Sequence, residues 1–242
     1  MMILTYGEPG VGKTVFASTA ADSPATSPVL FIDAEAGTLS IDSKAIYVEA
    51  KDALTAAKKS TNGKVVCVRA DSWAMVEGLV HLLATQDHGY RTVVLDSVTE
   101  VNQLCLLAVC DDAKIEDPRI QDFGRVITRT RRMIRDLRSG VDNVIFVAAM
   151  QDKVNPTTKL PQKQPSLIGK LAAEICGFVD VVGLLEVEEM GGAQNGETER
   201  VLYVDASNRY WAKDRTEGGK LGGYLVNPTV PSLLALSAGK AK

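Results

Sequence analysis

The sequence offers little sulfur or imidazole chemistry. It holds 242 residues, with 4 cysteines and 2 histidines. Cys67, Cys105, Cys110 and Cys176 form no C-x-x-C pair and read as reduced core thiols. His81 and His88 stand apart from any thiol, which argues against a zinc site. No uncharged apolar run approaches the ~18 residues of a membrane span. The start, MMILTYGEPG, lacks a basic stretch and a long apolar core, so no secretory signal is expected. These absences point to a soluble, cytoplasmic protein without a membrane partner. Internal repeats and low-complexity segments are also missing. The net charge of −3 excludes coating of nucleic acid by bulk charge, while leaving room for a local basic groove.

What is present is ordinary for a globular chain: 45% hydrophobic and 24% charged residues. Residues 1–226 are expected to form a single core, with 227–242 a short tail that frays at its end. Residues 3–6, 29–32, 45–48, 65–68, 92–95 and 144–150 read as short buried strands. Helical spacing is expected over 13–21, 51–60, 72–85, 98–110, 124–139 and 167–176. Residues 111–123 and 151–165 carry no periodicity and read as loops, and 191–196 reads as a glycine-rich turn. Residues 179–187 look like a strand, with 199–205 and 209–213 as a closing β-hairpin region. Strands alternating with helices predict an α/β fold with a mainly parallel sheet flanked by helices.

Gly7-Glu8-Pro9-Gly10-Val11-Gly12-Lys13-Thr14 fits G-x-x-x-x-G-K-[ST] and lies between a predicted strand and a predicted helix. Glycines let backbone N–H groups curl around a phosphate, and a helix N-terminus adds partial positive charge. Lys13 is expected to reach the β- and γ-phosphates of a nucleotide, and Thr14 to place its hydroxyl on Mg²⁺. The strand ending Leu95-Asp96-Ser97 supplies a second acid, with Asp96 in the Walker B role. Hydrolysis further needs a group that orients or deprotonates water, an effect worth about 10²–10⁴ in rate. Ser97 follows Asp96 directly and Glu100 comes next among the acids. The other candidate is Glu35, two residues after Asp33, on a strand expected to lie beside the P-loop strand.

With these motifs in hand, the sequence resembles the RecA-type recombinases. Phe31-Ile32-Asp33-Ala34-Glu35 looks like their strand that ends in the catalytic glutamate. Val94-Leu95-Asp96-Ser97-Val98 looks like their Walker B strand, and Ala148-Ala149-Met150-Gln151 like the strand ending in a γ-phosphate sensor. The order of motifs matches over about residues 2–215, nearest to the small phage ATPases of single-strand annealing and recombination. The resemblance implies a RecA-like ATPase core using ATP and Mg²⁺, with Glu35 as catalytic glutamate and Gln151 as sensor. It also implies that Lys213 and Arg215, in Tyr210-Trp211-Ala212-Lys213-Asp214-Arg215, act as a basic pair on a neighbouring subunit's γ-phosphate. Such a finger is worth about 10³–10⁵ in rate. A homo-oligomer, ring or filament, follows from that arrangement. The long recombinases' N-terminal pairing arm has no counterpart before the first strand. The cell compartment would be the host cytoplasm if the chain is phage-encoded.

The same resemblance puts residues 111–123 and 152–165 in the places of two DNA loops. Lys153, Lys159 and Lys163 are the phosphate-tracking candidates, with Phe123 for stacking and Arg125 on a basic helix. The first of these loops also holds Asp111, Asp112, Glu116, Asp117 and Asp122, which repel DNA. The expected function is a single-stranded-DNA-binding ATPase promoting annealing or strand exchange, with a single-strand-binding protein as a further partner. The alternatives are a KaiC- or AAA-like switch acting on a protein, and a helicase core.

Overall fold

Aliphatic and β-branched runs form the strands of this computed structural model, which describes residues 1–61, 63–189 and 198–239. β1 (Met2–Gly7) enters the glycine-rich loop, which leads into α1 (Lys13–Ser18). β2 (Val29–Asp33), β3 (Ala45–Tyr47) and β4 (Val65–Arg69) follow, then α2 (Trp73–Thr85) and β5 (Thr92–Asp96). Two long helices come next, α3 (Val98–Ala113) and α4 (Ile120–Gly140). β6 (Asn143–Val154) turns back as β7 (Pro161–Pro165), followed by α5 (Leu171–Phe178) and β8 (Val181–Glu189). β9 (Thr198–Tyr203), β10 (Lys213–Asp214), β11 (Tyr224–Val226) and α6 (Val230–Ser237) complete the described chain.

The main path of the sheet runs β11-β9-β8-β1-β6-β5-β2-β4-β3. From β8 to β3 every neighbouring pair is parallel. β9 and β11 add antiparallel strands at one edge. The expectation that the Glu35 strand lies beside the P-loop strand is corrected: β6 and β5 stand between β1 and β2. β6 therefore ends between the P-loop and the Asp96 strand, in register with Gly7 through Ala149 and with Asp96 through Val147.

The strands are apolar on both faces because helices cover both. Alternate residues go to opposite sides of a strand. Leu4, Tyr6, Leu30, Ile32, Val93, Leu95 and Phe146 pack under α2–α5, in a core with Val76, Val101, Ile134 and Ile175. Ile3, Phe31, Val94, Ile145 and Val147 face the other way, onto Phe16, Ala17, Val230 and Leu233. At roughly 25 cal/mol per Å² of buried apolar surface, this two-sided burial is the main source of stability.

Several local expectations change. The helix over 51–60 is replaced by short 3₁₀ turns, Ala50–Asp52 and Leu54–Lys59. The loop over 111–123 shrinks, because α3 runs to Ala113 and α4 begins at Ile120. Asp122 is the reason: its carboxylate caps the Arg119 backbone N–H at 2.9 Å and pairs with Arg119 and Arg125, starting the helix early. The loop over 151–165 is a β-hairpin, with β7 antiparallel to β6 from Met150–Pro165 to Val154–Pro161. In the closing region β9 pairs with β8 and β11, and β10 pairs with β8, rather than 199–205 pairing with 209–213. The segment expected as a tail contains α6, whose Val230 and Leu233 are fully buried. The turn at 191–196 and the last residues, 240–242, lie outside the described residues.

Candidate active site

The site gathers at the C-terminal ends of β1, β6, β5 and β2. Gly10 and Gly12 adopt φ of 84° and 97°, left-handed values that a side chain disfavours. They let the loop curl between β1 and α1. Lys13 folds back over that curl, and its Nζ donates to the Gly7 carbonyl at 2.9 Å and the Glu8 carbonyl at 2.8 Å. Burial lowers its pKa, and the carboxylates of Glu35, Asp96 and Glu8 pull it back up.

Thr14 and Asp96 meet across the sheet: the Thr14 hydroxyl donates to Asp96 Oδ2 at 2.7 Å. Asp96 is nearly inaccessible, at 2% exposure. Burial pushes its carboxyl up to about 6; the Thr14 hydrogen bond opposes this, Glu35 and Asp33 add to it, and Lys13 opposes it. A hydroxyl and a carboxylate held this close form a hard-oxygen donor set that suits Mg²⁺. The surrounding carboxylates outnumber Lys13, which favours a divalent cation further. Thr14 and Asp96 would hold Mg²⁺, and when bound the ion neutralises charge on phosphate oxygens.

Glu35 arrives from β2 on a short turn that the chain builds with care. Asp33, buried at the strand end, accepts from the Gly37 N–H at 3.2 Å and the Thr38 hydroxyl at 2.6 Å. The Tyr47 hydroxyl lies 3.0 Å from that of Thr38, and the Ala34 N–H donates to the Asp96 carbonyl at 2.7 Å. Glu35 stays exposed on this turn and accepts a hydrogen bond from the Ser97 hydroxyl. Ser97, the residue that left the position after Asp96 without a carboxylate, thus holds a carboxylate brought from a different strand. Sequence reading missed this role for Ser97 and the anchoring role of Asp33. The Asp-x-Glu spacing at the end of β2 was the available signal.

Gln151 lies two residues beyond Ala149, the register partner of Gly7, at the root of the β6–β7 hairpin. Its Nε2 donates to the Pro165 carbonyl at 3.0 Å. The structure thus brings Lys13, Thr14, Asp96 and Glu35 together, with Gln151 on the strand between them.

The match of the AAA domain family model spans residues 1–216, from the first strand past β10. The chain belongs to the AAA domain family. No curated protein matches it. As an AAA domain with a mostly parallel sheet between helices, the chain is a P-loop NTPase fold, and membership suggests nucleotide hydrolysis with nucleotide and Mg²⁺ bound at the loop just described.

The remaining candidates of this AAA domain lie elsewhere. Lys213 and Arg215 point at the C-terminal end of α5: Lys213 Nζ donates to the Cys176 carbonyl, and Arg215 Nη2 to the Gly177 carbonyl at 2.8 Å. They satisfy carbonyls that a helix end leaves open. Lys153 and Lys159 are exposed on the hairpin, while Lys163 pairs with Glu186 of β8. Phe123 is half-buried on the first turn of α4 instead of in a loop. Arg125 pairs with Asp122 at 3.4 Å, and Arg129 and Arg131 pair with Asp112 and Glu174. Much of the basic charge of α4 is therefore neutralised locally. Cys67, Cys105 and Cys110 are buried free thiols, and Cys176 is half-buried. Among the described residues no helix is long and apolar enough to cross a membrane.

Proposed function

We propose that this AAA domain is a RecA-like, DNA-binding ATPase that promotes annealing or strand exchange of single-stranded DNA, working as a homo-oligomer. One observation carries the reading. β6 passes without interruption from between the P-loop strand and the Asp96 strand into a projecting hairpin. That hairpin exposes Lys153 and Lys159 beside Val154, 66% exposed, and Leu160, 58% exposed. Lysines suit a phosphate backbone, while the hairpin carries no aromatic side chain on which bases would stack.

In this reading the loop and Lys13 bind the triphosphate of ATP. Glu35 accepts a proton from the attacking water, and its hydrogen bond to Ser97 holds the carboxylate at the end of β5. Gln151 senses the γ-phosphate from the root of the hairpin, so nucleotide state alters how Lys153 and Lys159 meet DNA. The carboxylate of Glu35, on the turn after β2 and held by the Ser97 hydroxyl beside Asp96, supports this reading. Lys213 and Arg215 would reach a neighbouring subunit's nucleotide after leaving the α5 carbonyls.

The test is ATP turnover with and without single-stranded DNA at low salt, with Lys13→Ala as the blank. Turnover should rise severalfold with DNA and vanish in the blank. Lys153→Ala/Lys159→Ala should lose most of the DNA stimulation while keeping basal turnover. Turnover indifferent to DNA, with no DNA retained at low salt, would overturn the DNA reading and leave an ATPase acting on a protein partner.

A further inference from the structure

Arg200 is the one basic side chain of β9 in contact with the phosphate loop, and the site described above gives it no role. Its backbone is tied to Asn227, just past β11: the Arg200 N–H donates to Asn227 Oδ1 at 3.2 Å, and the Asn227 N–H donates to the Arg200 carbonyl at 2.7 Å. From that anchored position the side chain crosses to the loop, and Nε donates to the Val11 carbonyl at 3.0 Å. The approach is intimate. A Cβ on Gly12 would stand 2.5 Å from Arg200 Nε and 3.2 Å from Cδ. Gly12 thus serves two ends, its φ of 97° and room for this guanidinium.

The consequence follows from covalent geometry. A planar trans peptide places its C=O and the next N–H on opposite sides. Pinning the Val11 carbonyl toward Arg200 therefore aims the Gly12 N–H the other way. Gly12 is a glycine, so without a pin this peptide turns over at little steric cost. The turn and loop backbone hydrogen bonds of the described residues do not use the Gly12 N–H, which leaves it available as a donor. We propose that Arg200 is a positioning residue of the phosphate loop: it fixes the Val11–Gly12 peptide so that the Gly12 N–H faces the bound phosphate. The proposal rests on the loop binding a triphosphate and is independent of whether the chain acts on DNA.

Three substitutions separate donor from charge. Arg200→Gln puts a neutral N–H donor at the chain position of Nε. Arg200→Lys keeps the charge but puts a methylene there. Arg200→Met supplies neither. Binding of ATP and of inorganic tripolyphosphate is measured by titration calorimetry on the full chain. Arg200→Met and Arg200→Lys should weaken both ligands about fivefold, the order of one hydrogen bond. Arg200→Gln should rescue most of that loss. In ¹H–¹⁵N spectra the Gly12 amide should shift on adding tripolyphosphate to the wild type and to Arg200→Gln, and shift much less in Arg200→Met. Wild-type affinity in Arg200→Met would overturn the proposal. So would rescue by Arg200→Lys but not by Arg200→Gln, which would make the effect one of charge alone. Should Arg200→Met fail to fold, the comparison of Gln with Lys decides by itself. Lys13→Ala separates this from the reading of the loop: a wild type that binds tripolyphosphate no better than Lys13→Ala would overturn the loop as a phosphate site, and Arg200 with it.

Discussion

Asp96 is where burial and charge are set against each other. An ordinary carboxylate near 3.8 is pushed to about 6, chiefly because the folded chain buries it. Between those two values the folded state holds a proton that the unfolded chain has released. The stabilisation is therefore full below about pH 4 and is lost as pH rises through about 6. Above that, the ionised group strains the metal-free fold, by about 3 kcal/mol for a shift of this size. Asp96→Asn should accordingly melt higher than wild type at pH 8 in a chelator, and the gap should close below pH 4. Adding Mg²⁺ should raise the wild-type midpoint at pH 8 and leave that of Asp96→Asn nearly unmoved. Thermal melts across this pH range check it; an Asn variant less stable than wild type at pH 8 would contradict it. The chemistry at this residue was legible because the P-loop and Walker B spacings are local in sequence. Ser97 and Arg200 were not, because their roles come from contacts between segments distant along the chain, whereas Asp33 anchors a local turn, through Gly37 and Thr38, that periodicity does not reveal.

At the scale of elements, the question is how the P-loop strand is joined to the hairpin. Tyr6 precedes Gly7 and is fully buried. Its hydroxyl donates to the Trp211 carbonyl at 2.6 Å and lies 3.2 Å from that of Lys163 on β7. The Trp211 N–H in turn donates to the Lys163 carbonyl at 3.0 Å, and Trp211 Nε1 to Gln162 Oε1 at 2.9 Å. The Lys163–Glu186 ion pair adds a link to β8. Tyr6→Phe removes the hydroxyl and leaves the half-buried Trp211 carbonyl short of a donor, while the Lys163 carbonyl keeps the Trp211 N–H, at a cost of about 1 kcal/mol. The melting midpoint should fall by several degrees. ATP affinity should stay within about twofold, the scale of a change that touches no loop amide, while stimulation by DNA falls. Loss of ATP binding instead would mean that Tyr6 shapes the loop itself. The hairpin escaped sequence reading for a related reason. Pro161 and Pro165 break the pattern of a central strand, yet the ladder of β7 is with β6, its other side meets the chain in a bridge from Lys163 to Tyr210, and strand ends at such an edge tolerate a residue without an N–H. Its turn did leave a trace in Asn155, whose Oδ1 accepts from the Thr157 N–H at 2.9 Å and the Thr158 N–H at 3.1 Å.

For the whole molecule, the strand order decides which strand ends meet at the site. Alternating apolar runs predicted the parallel sheet, but periodicity carries no information on which strands are neighbours, so the place of β6 between β1 and β5 had to come from the fold. In the proposed reading Lys13, Asp96 and Glu35 would line one side of a bound triphosphate, while Lys213 and Arg215 sit at α5, held on carbonyls of their own chain. If the pair acts across a subunit boundary, catalysis needs two chains with different duties. Lys13→Ala removes the phosphate loop's lysine but keeps the basic pair. Lys213→Ala/Arg215→Ala keeps the loop but removes the pair, and should lose about 10³-fold in turnover with ATP affinity little changed. Each variant alone should be nearly inactive. Mixed in equal amounts, they should regain a substantial fraction of wild-type turnover, because some boundaries then join an intact loop to an intact pair. The recovery should grow with total protein concentration, as assembly does. A mixture no more active than its components would confine Lys213 and Arg215 to closing the end of α5. A melting midpoint of the double variant modestly below wild type would then be the expected companion result, since two donors to the α5 helix-end carbonyls of half-buried Cys176 and exposed Gly177 would have been removed.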